Sequence, residues 1–114
     1  MIEPQFCCSN PPFYFDDFQI IPIGIDETNG RFGEVSIHIC KSCQSKWLRY
    51  FVEYEAFSES GRWYRGLISD EVANTVTPEN AVEILEGLDW YYRGGSYFKT
   101  DGQKGSGRVS VDLF

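Results

Sequence analysis

The sequence predicts an α+β fold, with an antiparallel β-sheet of four to six strands, one packed helix and a metal site. Three observations lead to this prediction. Apolar and polar residues alternate in several short segments, one segment has the pattern of a capped amphipathic helix, and the chain holds four cysteines. At 114 residues, 42% of them hydrophobic, the chain is long enough to bury a core, so residues 1–114 are expected to form a single domain.

The first two strands are predicted on either side of a turn. The segment FQIIPIGID, from Phe18 to Asp26, has the apolar character of a strand. Pro22 within it favours an edge or bulged position, because proline cannot donate to the sheet ladder. Asn29-Gly30 is a strong hairpin signal. The next strand, EVSIHIC, alternates between a face with Val35, Ile37 and Ile39 and a face with Ser36, His38 and Cys40.

A second hairpin is predicted from WLRYFVEYEAF and the segment SESGRWYRGLIS that follows it. A three-residue loop that ends at Gly61, with this glycine in the left-handed conformation, gives the preferred register. In that register Glu55 faces Arg65 and Phe57 faces Trp63, and both are favourable cross-strand pairs. A register shifted by one residue loses the ion pair.

One helix is predicted after Thr77, which is a suitable N-cap and is followed by Pro78 at the first helical position. Its apolar stripe consists of Ala81, Val82, Leu85 and Leu88. Gly87 either weakens a longer helix or ends the helix as a left-handed cap. Beyond the helix, SYFKT and RVSVDLF are predicted to pair as a last hairpin around the glycine-rich DGQKGSG.

The charge of the chain restricts its partners. A formal charge of −7 argues against binding to nucleic acid and to anionic membrane surfaces, because both require an excess of Lys and Arg. No segment approaches the roughly 20 apolar residues of a membrane span. The beginning of the chain, MIEPQFCCSNPP, lacks the basic start and apolar stretch of a secretory signal. We therefore expect a cytoplasmic protein, in which cysteines act as metal ligands or core thiols more often than as disulfides.

The segment HICKSCQSKW contains the strongest candidate for chemistry. Cys40 and Cys43 form a CxxC at the end of a predicted strand, a spacing that brings two thiolates to one zinc ion. Cys7 and Cys8 are the expected second pair, although adjacent side chains converge only in an irregular turn. His38 is the substitute fourth ligand, because it shares a strand face with Cys40. The motif resembles the CxxC of zinc-ribbon-like modules over a few residues. This resemblance implies a metal site but does not predict what the protein does.

Two other interpretations of these cysteines remain open. The thiols can pack as small hydrophobic side chains in the core. A thioredoxin-like redox pair is the third possibility, but it requires the CxxC to open a helix inside a βαβ unit. The segment after the motif, QSKWLRYFVEY, has strand alternation instead.

One face of the second hairpin carries several large apolar side chains: Trp47, Phe51, Phe57, Trp63 and Leu67. A single short helix covers only one face of the sheet, so the other face requires its own cover. This cover is either a terminal segment of the same chain or a protein partner, most simply a second copy in a homodimer.

Taken together, these features predict a small acidic, non-enzymatic binding or adaptor protein with a structural zinc site. The alternative is a metal- or thiol-dependent enzyme that uses the Cys40/Cys43 site. The two hypotheses differ in ligand number, because four protein ligands close a zinc site whereas three ligands and a water leave it open for chemistry.

Overall fold

The structure, a computed structural model, describes residues 14–28, 32–53, 61–95 and 98–109. Six antiparallel strands form one sheet in the order β1-β2-β3-β4-β5-β6, so each strand pairs with its neighbours in the chain. A 3₁₀ turn at Phe15–Asp17 precedes them. The elements are β1 Phe18–Asp26, β2 Gly33–Cys40, β3 Lys46–Val52, β4 Arg62–Ile68, α1 Asp70–Ala73, α2 Ala81–Glu86, β5 Tyr91–Gly95 and β6 Thr100–Gly105. The predicted fold of an antiparallel sheet with helical packing is confirmed, with two short helices instead of one.

The first strand has the predicted bounds and the predicted irregularity. β1 lies at one end of the strand order, and its register against β2 shifts between Pro22 and Gly24. Both findings agree with the restriction that proline places on a sheet. The predicted turn at Asn29-Gly30 lies outside the described residues.

The register predicted for the second hairpin is wrong. Arg65 lies opposite Arg49, and Trp63 lies opposite Phe51, six residues earlier in the chain than the predicted partners Glu55 and Phe57. A shift by an even number leaves every side chain on its predicted face, because side chains alternate with a period of two. The alternation pattern therefore gave the correct faces but could not distinguish between registers that differ by an even shift.

The two helices follow β4 and begin at well-defined caps. The Ser69 hydroxyl accepts a hydrogen bond from the Val72 N–H at 3.1 Å and so caps α1, which the helical pattern did not predict because it has only four residues. Before α2, the Thr77 hydroxyl accepts from the Asn80 N–H at 3.2 Å, while the Asn80 side-chain oxygen accepts from the Thr77 N–H at 2.8 Å. This reciprocal pair closes a turn just before the helix. The N-cap of α2 is Asn80 and not the predicted Thr77, so the helix begins three residues later than expected. The helix ends at Gly87 with φ −83°, a right-handed conformation and not the left-handed cap that was considered.

The predicted C-terminal hairpin is also wrong. β5 pairs with β6, so the glycine-rich TDGQKG is a strand and the hairpin turn lies before it. Glycine was interpreted as a turn signal, whereas here Gly105 permits a close approach: a Cβ at this position would lie 3.2 Å from Arg93 Nε. Residues 110–114 lie outside the described residues.

The sheet buries side chains on both faces. The helix-covered face holds the larger core cluster, in which Leu48, Tyr50, Tyr64, Leu85 and Tyr91 are completely buried. Gly66 lies beneath the end of α2, where a Cβ would collide with Leu88. The opposite face, which we call the aromatic face, holds a second cluster around Trp47. No helix among the described residues is long and apolar enough to cross a membrane.

Candidate functional site

The CxxC motif forms a tight turn at the end of β2, as the sequence predicted. Cys40 is the last residue of the strand, and its N–H donates to the Ser45 carbonyl at 2.9 Å. The Gln44 N–H donates back to the Cys40 carbonyl at 2.9 Å, and Gln44 has a φ of 65°, in the left-handed region. The turn is tied to the segment before β1, because the Lys41 N–H donates to the Asp17 carbonyl at 3.0 Å.

The two thiols of the motif have different environments. Cys40 is 3% exposed and belongs to the aromatic-face cluster with Phe18, Trp47 and Tyr92. Cys43 is exposed, and its thiol donates to the Ser45 hydroxyl at 3.1 Å. The turn thus places one thiol at the boundary of the interior and the other toward solvent.

The structure shows only part of the predicted ligand set. Cys7 and Cys8 lie outside the described residues. In the parts of the chain that the structure describes, no three His, Cys, Asp or Glu side chains come together as a ligand group. Cys40 and Cys43 supply two of the four ligands of a tetrahedral zinc site, and the predicted metal site is not found among the described residues.

His38, the substitute ligand, lies on the same sheet face as Cys40 and is 1% exposed. It pairs with Trp47 across the sheet, and its ring centroid lies 5.9 Å from that of Phe18. Burial, together with the smaller effects of the positive charges of Arg65 and Arg49, lowers the pKa of His38 to about 3. The imidazole is consequently neutral at physiological pH, which is the form that coordinates metals.

Tilted and edge-on aromatic rings, with cations over their faces, make up the aromatic face. The Arg65 guanidinium carbon lies 4.2 Å from the Phe18 ring centroid and 5.7 Å from the Trp47 ring centroid, and Arg65 is itself 1% exposed. Trp90 and Tyr92 extend the cluster, at centroid distances of 6.3 and 6.1 Å from Trp47. Such stacking stabilises a guanidinium that burial would otherwise penalise.

The exposure of the predicted interface residues is uneven. Trp47 is fully buried, whereas Phe51, Trp63 and Leu67 are half-buried. Phe57 lies outside the described residues. Toward the rim of the face, the Arg49 guanidinium lies 5.2 Å from the Phe51 ring centroid. Burial lowers the pKa of Arg49, and the nearby carboxylate of Glu34 counteracts that effect.

Sequence reasoning missed the contribution of β5 and β6 to this face. Tyr92 lies opposite Arg65 on one side and Lys104 on the other, and the Lys104 ammonium lies 4.6 Å from the Trp90 ring centroid. The consecutive aromatic residues Trp90, Tyr91 and Tyr92 are a usable strand signal, because aromatic residues are enriched in strands. This signal was missed because the longer of the two predicted helices continues past Gly87 into this segment.

Comparison with known proteins adds no assignment, since no protein-family model, curated protein or solved structure matches this chain.

Proposed function

We propose that this protein is a non-enzymatic binding protein whose fold is stabilised by one zinc ion, bound by Cys40 and Cys43 together with Cys7 and Cys8. The aromatic face supports the binding role. On this face the side chains that could act in catalysis, such as His38 and Arg65, are buried and therefore not accessible to a substrate. Arg65 is buried between aromatic rings, and the pKa of about 3 makes His38 a weak base at neutral pH.

The CxxC turn supports the zinc component of the proposal. A short turn at the end of a strand is the usual way in which two thiolates are brought to one tetrahedral ion. Cys40 faces the interior and Cys43 faces solvent, so a shared ion would lie at the border of the aromatic face. If only one N-terminal cysteine binds, His38 is the fourth ligand that its strand position favours.

Metal analysis tests the zinc site. Protein purified without added metal should contain about one zinc per chain. Cys43→Ser should lose the metal, whereas Ser42→Ala, in the same exposed turn, should retain it. Absence of zinc after anaerobic reconstitution would contradict the proposal. Loss of zinc from His38→Ala together with its retention in Cys7→Ser would show that His38 replaces Cys7.

We assign the binding surface to the half-buried part of the aromatic face, formed by Phe51, Trp63 and Leu67 with Trp47 beneath them and Phe57 as the further predicted member. The simplest partner is a second copy of the chain. Burial of a large aromatic side chain contributes a few kcal/mol, so these residues together could stabilise a dimer.

Light scattering tests this surface. Trp63→Glu should convert the dimer into a folded monomer, while Phe32→Glu, at a residue 65% exposed in a loop, should leave the molecular mass unchanged. A wild-type protein that is already monomeric, and whose melting temperature falls sharply with Trp63→Glu, would show that the face is intramolecular core.

A further inference from the structure

A second concave surface lies beside the two helices and meets the aromatic face at Leu67. β5 pairs with β4 only at residues 63–65. The last residues of β4 therefore have no β5 partner and lie next to the two helices. The groove between them has a volume of about 590 Å³. A dry cavity of about 150 Å³ already admits a benzene ring, so this groove has room for several side chains. We call it the helical groove.

The walls of the helical groove are mainly aliphatic. They include Leu67, Ile68, Val72, Ile84 and Leu88. Ile84 and Leu88 are half-buried, and Val72 is half-buried on the opposite wall. These side chains present an apolar surface that gains free energy when a ligand removes it from water.

Hydrogen bonds hold the walls in place. The Asn80 side-chain amide donates to the Thr75 carbonyl at 2.9 Å, and the Thr75 hydroxyl donates to the Val72 carbonyl at 2.8 Å. The Ser69 hydroxyl is occupied by the Val72 N–H. The groove is therefore largely preformed, which lowers the entropic cost of binding.

Glu83 is the charged residue that lines the groove. Its side chain is exposed, and among the described residues it has no hydrogen bond or ion pair. The other polar lining side chains, Ser69, Thr75 and Asn80, already make internal hydrogen bonds. A ligand that fills the groove thus meets one exposed carboxylate. A cationic group on the ligand forms the strongest hydrogen bond with it.

The surroundings of the helical groove strengthen this preference. Residues 69–89 contain six acidic and no basic residues, a formal charge of −6 in a chain of −7. Their side chains are Asp70, Glu71, Glu79, Glu83, Glu86 and Asp89. The chain itself places one ammonium group here, since Lys46 Nζ lies 3.1 Å from Asp70. Such an acidic segment attracts cationic partners and repels anionic ones, a second acidic segment included.

We propose that the helical groove binds a basic, aliphatic peptide segment of a partner protein. Aliphatic side chains of the peptide occupy the groove, and a neighbouring Lys or Arg contacts Glu83. A symmetric contact between two copies is disfavoured, because it would bring two acidic segments together. Leu67 borders both surfaces, but Trp63 does not line the groove, so the peptide contact is tested separately from dimerisation through Trp63.

Peptide titrations followed by ¹⁵N–¹H NMR test the proposal. The probe is acetyl-GKLKLKG-amide, with acetyl-GELELEG-amide as the charge control and acetyl-GKSKSKG-amide as the apolar control. The Lys-Leu peptide should shift the amide signals of residues 67–72 and 80–88, and added salt should weaken its binding. The two control peptides should bind at least about tenfold more weakly, since both the cation and the apolar contact are needed.

A pair of charge reversals locates the contact. Glu83→Lys should raise the Kd for the Lys-Leu peptide by about fivefold or more, which is the effect expected from one or two exposed charge contacts. Glu79→Lys makes the same change in net charge outside the groove lining and should have a smaller effect. Equal losses in the two variants would mean that only the overall charge matters, and would overturn the assignment of Glu83.

Three other outcomes overturn the proposal itself. Equal binding of the Lys-Leu and Glu-Leu peptides would show an apolar cavity without charge preference. Shifts of the groove signals on dilution of the protein alone would show that a second copy occupies it. The absence of groove shifts with the Lys-Leu peptide at low salt would show that the groove does not bind such peptides.

Discussion

His38 allows a sharp test of the structure, because it is the only histidine in the chain and is 1% exposed. Its pKa is about 3, compared with 6.5 for an unperturbed histidine, mainly because burial disfavours the charged imidazole. The positive charges of Arg65 and Arg49 add to this effect. A zinc ion held by Cys40 would act in the same direction.

The sign and size of the pH dependence follow from linkage. The unfolded chain binds a proton at His38 below pH 6.5, while the folded protein does not bind it until about pH 3. His38 therefore destabilises the folded state as the pH falls through this window. Between pH 7.5 and 5.0 the loss of unfolding free energy is about 2 kcal/mol. Any folded pKa below about 4 gives nearly the same value at pH 5.0.

The assay compares urea unfolding of the wild type and His38→Gln at these two pH values. Carboxylates contribute equally to both proteins, so the difference between their pH dependences isolates His38. The variant should lose about 2 kcal/mol less than the wild type on acidification. In the folded wild type the single pair of imidazole NMR signals should not titrate above pH 4.5. An imidazole that titrates near 6.5, or identical pH dependences, would refute the buried neutral assignment.

Four substitutions, one of them a control, test the packing of the fold by thermal or urea unfolding. Tyr50→Phe should cost about 1.5–3 kcal/mol, because it removes the hydroxyl that donates to the buried Asp26 carboxylate at 2.7 Å; an unchanged stability would contradict this. Gly95→Ala should destabilise more than Gly107→Ala. Both glycines have positive φ (109° and 77°), but only at Gly95 would the Cβ meet backbone atoms, at 2.6 Å, and equal losses would refute this close approach. Gly87→Ala should raise the unfolding free energy by about 0.4–1 kcal/mol, because φ is −83° and the added Cβ would lie 3.6 Å from its neighbours, an ordinary contact distance. A lower melting temperature would contradict the right-handed conformation of Gly87.

Local features of the fold could be predicted from the sequence wherever one residue restricts the conformation of its own backbone. Pro22 limited β1 to an edge or bulged position, and the structure has both features. Thr77 marks the turn that precedes α2 and bonds with Asn80, although Asn80 is the N-cap and α2 begins at Ala81. The CxxC turn also lies where the alternation of β2 ends. In each case the decisive interaction lies within a few residues.

Long-range pairing was much less predictable. The partner of Arg65 was expected to be Glu55 on grounds of charge, but it is Arg49. Two guanidinium groups can face each other here because aromatic rings accept them, Phe18 beside Arg65 and Phe51 beside Arg49. Phe18 is 47 positions away from Arg65 in the chain. No local pattern indicates such a contact, so the cation-binding role of these rings could not be anticipated.

Charge distribution is more informative here than net charge. The value of −7 argues against nucleic acid and anionic membranes but does not locate a binding surface. Residues 69–89 hold −6 of it, whereas Arg49, Arg65 and Lys104 belong to the aromatic face. The two proposed surfaces meet at Leu67, but Trp63 does not line the helical groove and Glu83 does not belong to the aromatic face. Glu83→Lys should then leave the oligomeric state unchanged, and Trp63→Glu should leave peptide binding unchanged. Loss of both properties in either variant would mean that the two faces act as one site.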